Sequence, residues 1–362
     1  MKVTAPHMGT LHIAIGAFLR EFGADLILPP PTSNQTLAIG SRLAPESACL
    51  PLKVTIGNFV EGYELGAEAG IMVGGVGPCR LGYYAPVQQK ILADHGYDME
   101  VISLEPPRGH LGELVSALRR LSNGNGLRRL WPAWRIAWAK LKAIDTIDRV
   151  ASKCRPRSEP GRIDQLREKA LSDLDRAEGT GQSAAIARQF VREAESCADF
   201  DRHCPRVGLL GEVFMILEPR VNGNVEAELG RLGLEVHREI YITDWLNVNL
   251  VRDFLRLGHP PAQQEAARPY LTYFVGGHGR ENIGQAVIYA RQGFDGLIQV
   301  APLTCMPEIV AQTILNRVVR DFQIPLITLY YDEHAGDTGL VTRLEAFADL
   351  ILRKEGTRCA AV

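Results

Sequence analysis

The sequence predicts an α/β protein of two parallel-sheet lobes with a helical insertion between them. Three observations predict it. Short apolar runs alternate with helix-period segments over roughly the first hundred residues, the alternation stops near Gly109, and it resumes at Val207. Strands that alternate with helices of this length pair in parallel, because each crossover helix returns the chain to the same edge of the sheet.

The elements follow in order. Lys2 to Pro6 reads as a short strand, Leu11 to Phe22 as a helix closed by Gly23, and Asp25 to Leu28 as a second strand stopped by Pro29, Pro30 and Pro31. Glycine supplies the left-handed residue that ends a helix, and proline has no N–H for a ladder. After Cys49 the stretch Leu52 to Leu65 is helical. Gly70 to Gly74 is a strand, Tyr84 to His95 a helix closed by Gly96, and Met99 to Leu104 a strand. From Gly109 to Cys204 apolar residues recur at helical spacing and no strand is expected. The segment from Arg108 to Arg162 holds 13 Lys and Arg against 4 Asp and Glu, so it is locally basic. Strands return at Val207, Glu235 to Tyr241, Gly296 to Ala301 and Pro325 to Tyr331, and Val341 to Arg353 closes the chain as a helix. The expected domains are residues 1–108, 109–204 and 205–362, the outer two being Rossmann-like (flavodoxin-like) lobes. No low-complexity tract or short-period repeat stands out.

Composition excludes several classes. A formal net charge of −2 gives no global reason to expect nucleic acid. No uninterrupted apolar run reaches the ~18 residues of a spanning helix. The start, Met-Lys-Val-Thr-Ala-Pro-His, lacks the apolar core of a signal peptide, so a cytoplasmic protein is expected. Seven cysteines, odd in number, scattered and without a CxxC pair, suit neither a disulfide framework nor a zinc ribbon nor a bacterial ferredoxin run.

Three of those cysteines share a setting. Cys49 lies in ESACLPLKVTIGN, Cys79 in GIMVGGVGPCRLGYY and Cys305 in APLTCMPEIV, and all three map to strand-to-helix loops at the same type of sheet edge. Open α/β sheets bind ligands beyond their strands' carboxyl ends. A thiolate at a helix N-terminus is stabilised by the dipole and the unpaired N–H groups, and soft thiolates from separate loops are what an iron–sulfur cluster needs. Three thiolates would leave one iron of a cubane open to a substrate. The plainer reading is that buried cysteines are small hydrophobes. Cys154, Cys197 and Cys204, in or beside the insertion, are possible additional ligands, and Cys359 lies in a terminal tail.

Other motifs carry two readings each. The glycine-rich stretches with Gly75 and Gly77, and with Gly276, Gly277 and His278, could let backbone approach a cluster or a ligand, or could simply be tight turns. Neither is GxGxxG or a Walker loop, so intrinsic ATPase chemistry is not expected. Glu308, Glu333 and His334 are candidate acid–base groups, with helix capping as the alternative for the Glu333–His334 loop. Trp131, Trp134 and Trp138 recur at i, i+3 and i+7 among Arg135, Lys140 and Lys142, which suits either core packing or a docking face.

Taken together, GGHGRENIGQA, APLTCMPEIVAQTIL, YYDEHAGDTGLVTRLEAFADL, ESACLPLKVTIGN and the Cys79 loop resemble the acyl-CoA dehydratase activase-related proteins. These belong to the wider superfamily of 2-hydroxyacyl-CoA dehydratases, benzoyl-CoA reductases and double-cubane cluster proteins. The resemblance covers roughly residues 1–105 and 205–353 and does not extend to the insertion. It implies Rossmann-like lobes around a cluster held by three cysteines, here Cys49, Cys79 and Cys305. It also implies a separate ATP-hydrolysing iron–sulfur activator, and a homodimer or other paired assembly. A single 4Fe–4S cluster is expected. The double-cubane 8Fe–9S alternative would also need Cys154, Cys197 and Cys204. Either the protein performs reductive or electron-transfer chemistry on a small molecule such as an acyl-CoA, or it is a cluster-bearing scaffold or maturation protein that docks a partner. The activator's own ATP-binding and cysteine motifs are absent.

Overall fold

The structure is a computed structural model, and it describes residues 1–74, 79–104, 111–122, 127–247, 261–334 and 337–359. The chain forms two compact units. The first comprises Met1–Ala143, Leu174–Ala184 and Ile242–His259; the second comprises Ile144–Asp173, Ala185–Tyr241 and Pro260–Val362.

In the first unit β1 (Lys2–Thr4), α1 (Leu11–Phe22), β2 (Asp25–Leu26), α2 (Asn34–Leu43), α3 (Leu50–Glu64) and β3 (Ala69–Val73) follow one another. A 3-10 turn (Arg80–Tyr83), α4 (Tyr84–Asp94), β4 (Glu100–Leu104) and α5 (Leu111–Leu121) come next, then the start of α6 (Leu130–Cys154). The strands pair in parallel in the order β2-β1-β3-β4. Both faces of the sheet are covered. Met72 packs with Ile56, Phe59 and Val60 of α3 and Leu92 of α4, whereas Val3, Ile71 and Ile102 pack with Leu19, Phe22, Leu121 and Ala133. Strand residues alternate between the two cores because successive side chains point to opposite faces.

The insertion is helical, as expected, in α6, α7 (Arg162–Arg176) and α8 (Thr180–Ser196), and the division between the units falls inside all three helices. The next strand is β5 (Arg206–Gly211), followed by α9 (Val213–Leu217), α10 (Pro219–Asn222), α11 (Val225–Arg231) and β6 (Glu235–Arg238). Then come α12 (Ile242–Leu246), α13 (Ala262–Ala267), α14 (Gly279–Arg291), β7 (Gly296–Pro302), α15 (Met306–Phe322), β8 (Leu326–Tyr331) and α16 (Asp337–Cys359). The second sheet is again all parallel, in the order β6-β5-β7-β8.

Counted along the chain, both sheets read second, first, third, fourth. The likeness extends to residues. Aligning Ala69 with Gly296, the first residues of the two third strands, pairs Ile56-Gly57 with Ile283-Gly284, Gly66 with Gly293 and Ile71 with Ile298. Gly66 and Gly293 both take positive φ after their helices. A Cβ on Gly57 would lie 2.1 Å from the Thr36 carbonyl oxygen, and one on Gly284 would lie 1.8 Å from that of Gln263, the residue that pairs with Thr36. The two units are therefore built on one plan.

Candidate functional site

In an open parallel sheet the ligand crevice lies where the strand order reverses, beyond the carboxyl ends of the first and third strands. In the first unit the third strand leads to the Cys79 loop, and in the second it leads to Cys305. Cys49, Cys79 and Cys305 each stand at the N-cap of the helix or turn that follows, but Cys49 lies in a helix-to-helix loop and not in the expected strand-to-helix loop, because α2 forms between β2 and it. Their carbonyls accept the first helical hydrogen bonds, from the N–H groups of Leu52 at 3.0 Å, Gly82 at 3.3 Å and Ile309 at 3.0 Å. Cys49 and Cys305 are both followed at the second helical position by proline, Pro51 and Pro307, whose fixed φ starts the helix.

In the first unit Cys49 Sγ makes a short contact with the Tyr84 hydroxyl. Tyr84 opens α4, five residues beyond Cys79, so the Cys49 cap lies against the segment that Cys79 begins. Gly75 and Gly77 fall outside the described residues. In the second unit Gly276 and Gly277 adopt φ of 88° and 50° and turn the chain into α14, whose N-cap is His278. A Cβ on Gly279 would lie 2.7 Å from the Pro307 carbonyl oxygen, so α14 and α15 start side by side and the His278 and Cys305 caps adjoin.

Beneath the Cys305 cap lies a buried polar network that the sequence reading did not assemble. Glu308, one turn into α15, is only 1% exposed. Asn282 Nδ2 donates to its Oε1 at 2.7 Å, and Gln299 Nε2, from the middle of β7, donates to its Oε2 at 2.8 Å. Asn282 also clamps the end of β5, accepting from Gly211 N at 3.1 Å and donating to Gly211 O at 3.2 Å. Glu212 caps α9 by accepting from Met215 N at 3.0 Å. Burial pushes the Glu308 carboxyl up to about 8, with Glu212 nearby raising it further, and burial pushes Glu212 up to about 7. Glu239, just after β6, is also pushed well above the carboxylate range by burial and by Glu308 and Glu281. Its Oε2 is buried without a hydrogen-bond partner among the described residues. The signal for this network was Gln299, a polar residue inside a fully buried strand.

The other candidates lie elsewhere. Asp332, Glu333 and His334 form a turn after β8 in which Asp332 Oδ1 accepts from His334 N at 2.9 Å. Cys204 stands just before β5, at the amino edge of the second sheet. There, with Arg157, His203, Arg206, Glu235, Gly293 and Asp295, it lines a cleft of about 430 Å³. The six residues of β5, at ~3.3 Å each, put that edge about 20 Å from the edge where Cys305 sits. Cys154 is fully buried, and burial with nearby Glu195 pushes its thiol up to about 11. Cys197 is half-buried in the turn after α8, and the side chain of Cys359 lies outside the described residues. Among the described residues, no group of three or more His, Cys, Asp or Glu side chains is placed to hold a metal ion, and no helix is long and apolar enough to cross a membrane.

On α6, Trp131 is 67% exposed, while Trp134 and Trp138 are half-buried and stacked at 5.4 Å with Lys142 Nζ 5.7 Å from the Trp138 ring. The buried face of the helix is formed by Ala133, Ala137 and Leu141, so the tryptophans flank the core rather than fill it. No protein-family model matches the chain, and no curated protein matches it.

Proposed function

We propose that this chain is an iron–sulfur protein that transfers low-potential electrons to, or reduces, a small molecule after activation by an ATP-dependent iron–sulfur partner. The observation that carries this reading is the placement of Cys49, Cys79 and Cys305. Each caps a helix or turn beyond a parallel sheet, and in the first unit the Cys49 cap is packed against the segment that Cys79 begins. The sequence motifs around all three thiols resemble one superfamily of such proteins. The donor set suits the group, because thiolate sulfur is a soft ligand.

We assign Cys49, Cys79 and Cys305 as ligands of a single 4Fe–4S cluster, which when bound would supply one-electron chemistry at low potential. The Tyr84 hydroxyl beside Cys49 would orient that thiolate and tune it through a hydrogen bond. A double cubane is disfavoured. It would enlist Cys154, whose thiol is held protonated by burial, and Cys204, at the far edge of the sheet from Cys305. An acyl-CoA is the substrate class that the resemblance points to. Thiol ligands call for a reducing compartment, so we place the protein in the cytoplasm, as a homodimer.

A second reading, a cluster-bearing scaffold or maturation protein that turns nothing over, is favoured by one observation, the exposure of Trp131 on α6. Turnover after activation separates the two; a stable stoichiometric complex without turnover would select the scaffold.

The test is anaerobic purification with iron, acid-labile sulfide and EPR. The wild-type protein should be brown and carry a cubane's complement of iron per chain. Ser at Cys49, Cys79 or Cys305 should remove most of it, and Ser at Cys197, Cys204 or Cys359 should leave it unchanged. A triple Ser variant at the first three positions that kept its iron would refute the assignment.

A further inference from the structure

The stretch from Arg119 to Lys142 holds seven Lys and Arg residues, no Asp or Glu, and three of the chain's four tryptophans. It takes in the end of α5, a 3-10 turn (Leu127–Arg129) and the first half of α6, all within the first unit. Ala117 and Leu121 of α5 share a core with Ala133 of α6, so the end of one helix lies beside the start of the other. Two of the seven bases are engaged within the fold. Lys140 is buried and donates to the Asp175 carbonyl at 2.8 Å, and Arg120 pairs with Glu100. The other five, Arg119, Arg128, Arg129, Arg135 and Lys142, are exposed.

Helix geometry gathers the rest on one face. At about 100° per residue, Trp131, Arg135, Trp138 and Lys142 of α6 fall within about 60° of arc, with Trp134 about 40° further round. The buried Ala133, Ala137 and Leu141 occupy the opposite side. From Trp131 to Lys142 the outer face is about 16 Å long. Its indoles are already stacked within the helix. Trp134 and Trp138 lie 5.4 Å apart with their planes at 19°, and Lys142 Nζ stands 5.7 Å from the Trp138 ring. Ring faces used in this way are closed to a nucleic-acid base, which binds by stacking on them. The headgroup layer of a bilayer instead takes an indole for its apolar body and its polar N–H. Charge points the same way. A face of one sign matches a surface of uniformly opposite sign, and a bilayer with anionic phospholipid presents one. Long Arg and Lys stems can lie along the apolar layer while their heads meet the phosphates.

We propose that the first half of α6, with the end of α5, docks the protein on an anionic phospholipid membrane. The indoles enter the headgroup layer and the five exposed bases meet lipid phosphates. The helix lies along the membrane plane and does not cross it. Since the formal net charge of the chain is −2, attraction depends on this local patch and not on the molecule as a whole. Docking of this kind does not depend on whether the thiols hold iron.

Co-sedimentation of the full chain with lipid vesicles tests this. Vesicles of phosphatidylcholine with phosphatidylserine should bring the protein down, and vesicles of phosphatidylcholine alone should not. Binding should fall as salt rises, and tryptophan emission should shift to the blue on binding. Arg128→Gln with Arg135→Gln should weaken partition roughly 25-fold, at about fivefold for each base near such a surface. Arg188→Gln with Arg192→Gln removes the same charge from exposed positions of α8 and should leave binding nearly unchanged. Trp131→Ala should weaken binding and reduce the blue shift while keeping the melting transition, because that ring is 67% exposed. Equal binding to the two kinds of vesicle, binding to neither, or equal losses in the two double variants overturns the proposal. Tighter binding to a single-stranded oligonucleotide than to the anionic vesicles would assign the face to nucleic acid. Loss of a dimer in Trp131→Ala, without vesicle binding by the wild type, would assign it to a second copy of the chain. Either result also overturns membrane docking, and the wild-type comparison of the two vesicles decides the matter if a variant does not fold.

Discussion

Glu308 and Glu212 make stability depend on pH in a definite direction. Burial holds their carboxyls near 8 and 7, against about 4.3 for a glutamate in an unfolded chain. Between those values the native state keeps protons that the unfolded state has released, so stability falls as pH rises. Their contribution is complete below about 4.3, declines through 7 and 8, and is lost above. The denaturant midpoint should therefore be lower at pH 8.5 than at pH 5.5, and Glu308→Gln should reduce that difference. An unchanged pH dependence in the variant would mean that Glu308 is ionised in the native state. The cysteine settings were legible from single residues, because Pro51 and Pro307 announce helix starts two residues after Cys49 and Cys305. The carboxyl network was not, since Glu212, Glu239, Asn282 and Glu308 are far apart in sequence and only the folded sheet edge gathers them.

At the scale of elements, most strands and the longer helices were readable from their periods, and the misses have local causes. The helix α2 follows three consecutive prolines and has a Ser33 cap with Thr36 at the third position, in place of the acidic residue that usually marks such a box. The segment between β5 and β6 breaks into three short helices at Pro219 and Gly223, each too short to show a 3.6-residue period. The strand at Glu235 ends at Arg238, not Tyr241, and the chain enters α12 instead. Glycine carries the repeat. A Cβ at Gly57 or Gly284 would meet a backbone carbonyl that cannot swing aside. Alanine at either should cost about 1–3 kcal/mol by forcing the helices apart. At Gly181 of α8 nothing lies within 4 Å of the added atom. Alanine there should leave stability unchanged or raise it by up to about 1 kcal/mol. Urea unfolding of the three variants checks this; equal effects at all three positions would mean that the close helix pairs are not strained by a methyl group.

At the scale of the whole molecule, the basic character of residues 109–204 suggested a charged docking surface, and within the second unit much of that charge is used internally. Arg155 pairs with Asp164 and Glu226, and Arg157 with Glu235 of β6. Asp148 of α6 is 3% exposed and accepts from Arg167 Nε of α7 at 2.8 Å and from Arg238 Nη2 of β6 at 2.6 Å. The two guanidiniums hold its carboxyl down at about 2 despite burial, which acts the other way. A charge count along the chain cannot anticipate this, because Glu226 and Glu235, which answer Arg155 and Arg157, come from α11 and β6, beyond the counted segment. The far half of α6 is thus fastened to the second sheet by ions in a buried setting, where removing one partner leaves the others uncompensated. Asp148→Asn should destabilise the second unit by about 3–5 kcal/mol. Removing the exposed Arg120–Glu100 pair should cost no more than about 1 kcal/mol. The Asp148 contribution is present above about 3.8 and is lost as pH falls through 2, so the deficit of the variant should be constant from pH 5 to 8 and should close only in strong acid. Denaturation curves of both variants across that range decide the matter. A deficit at Asp148 no larger than that of the exposed pair would mean that α6 is held to the second unit by apolar contacts alone.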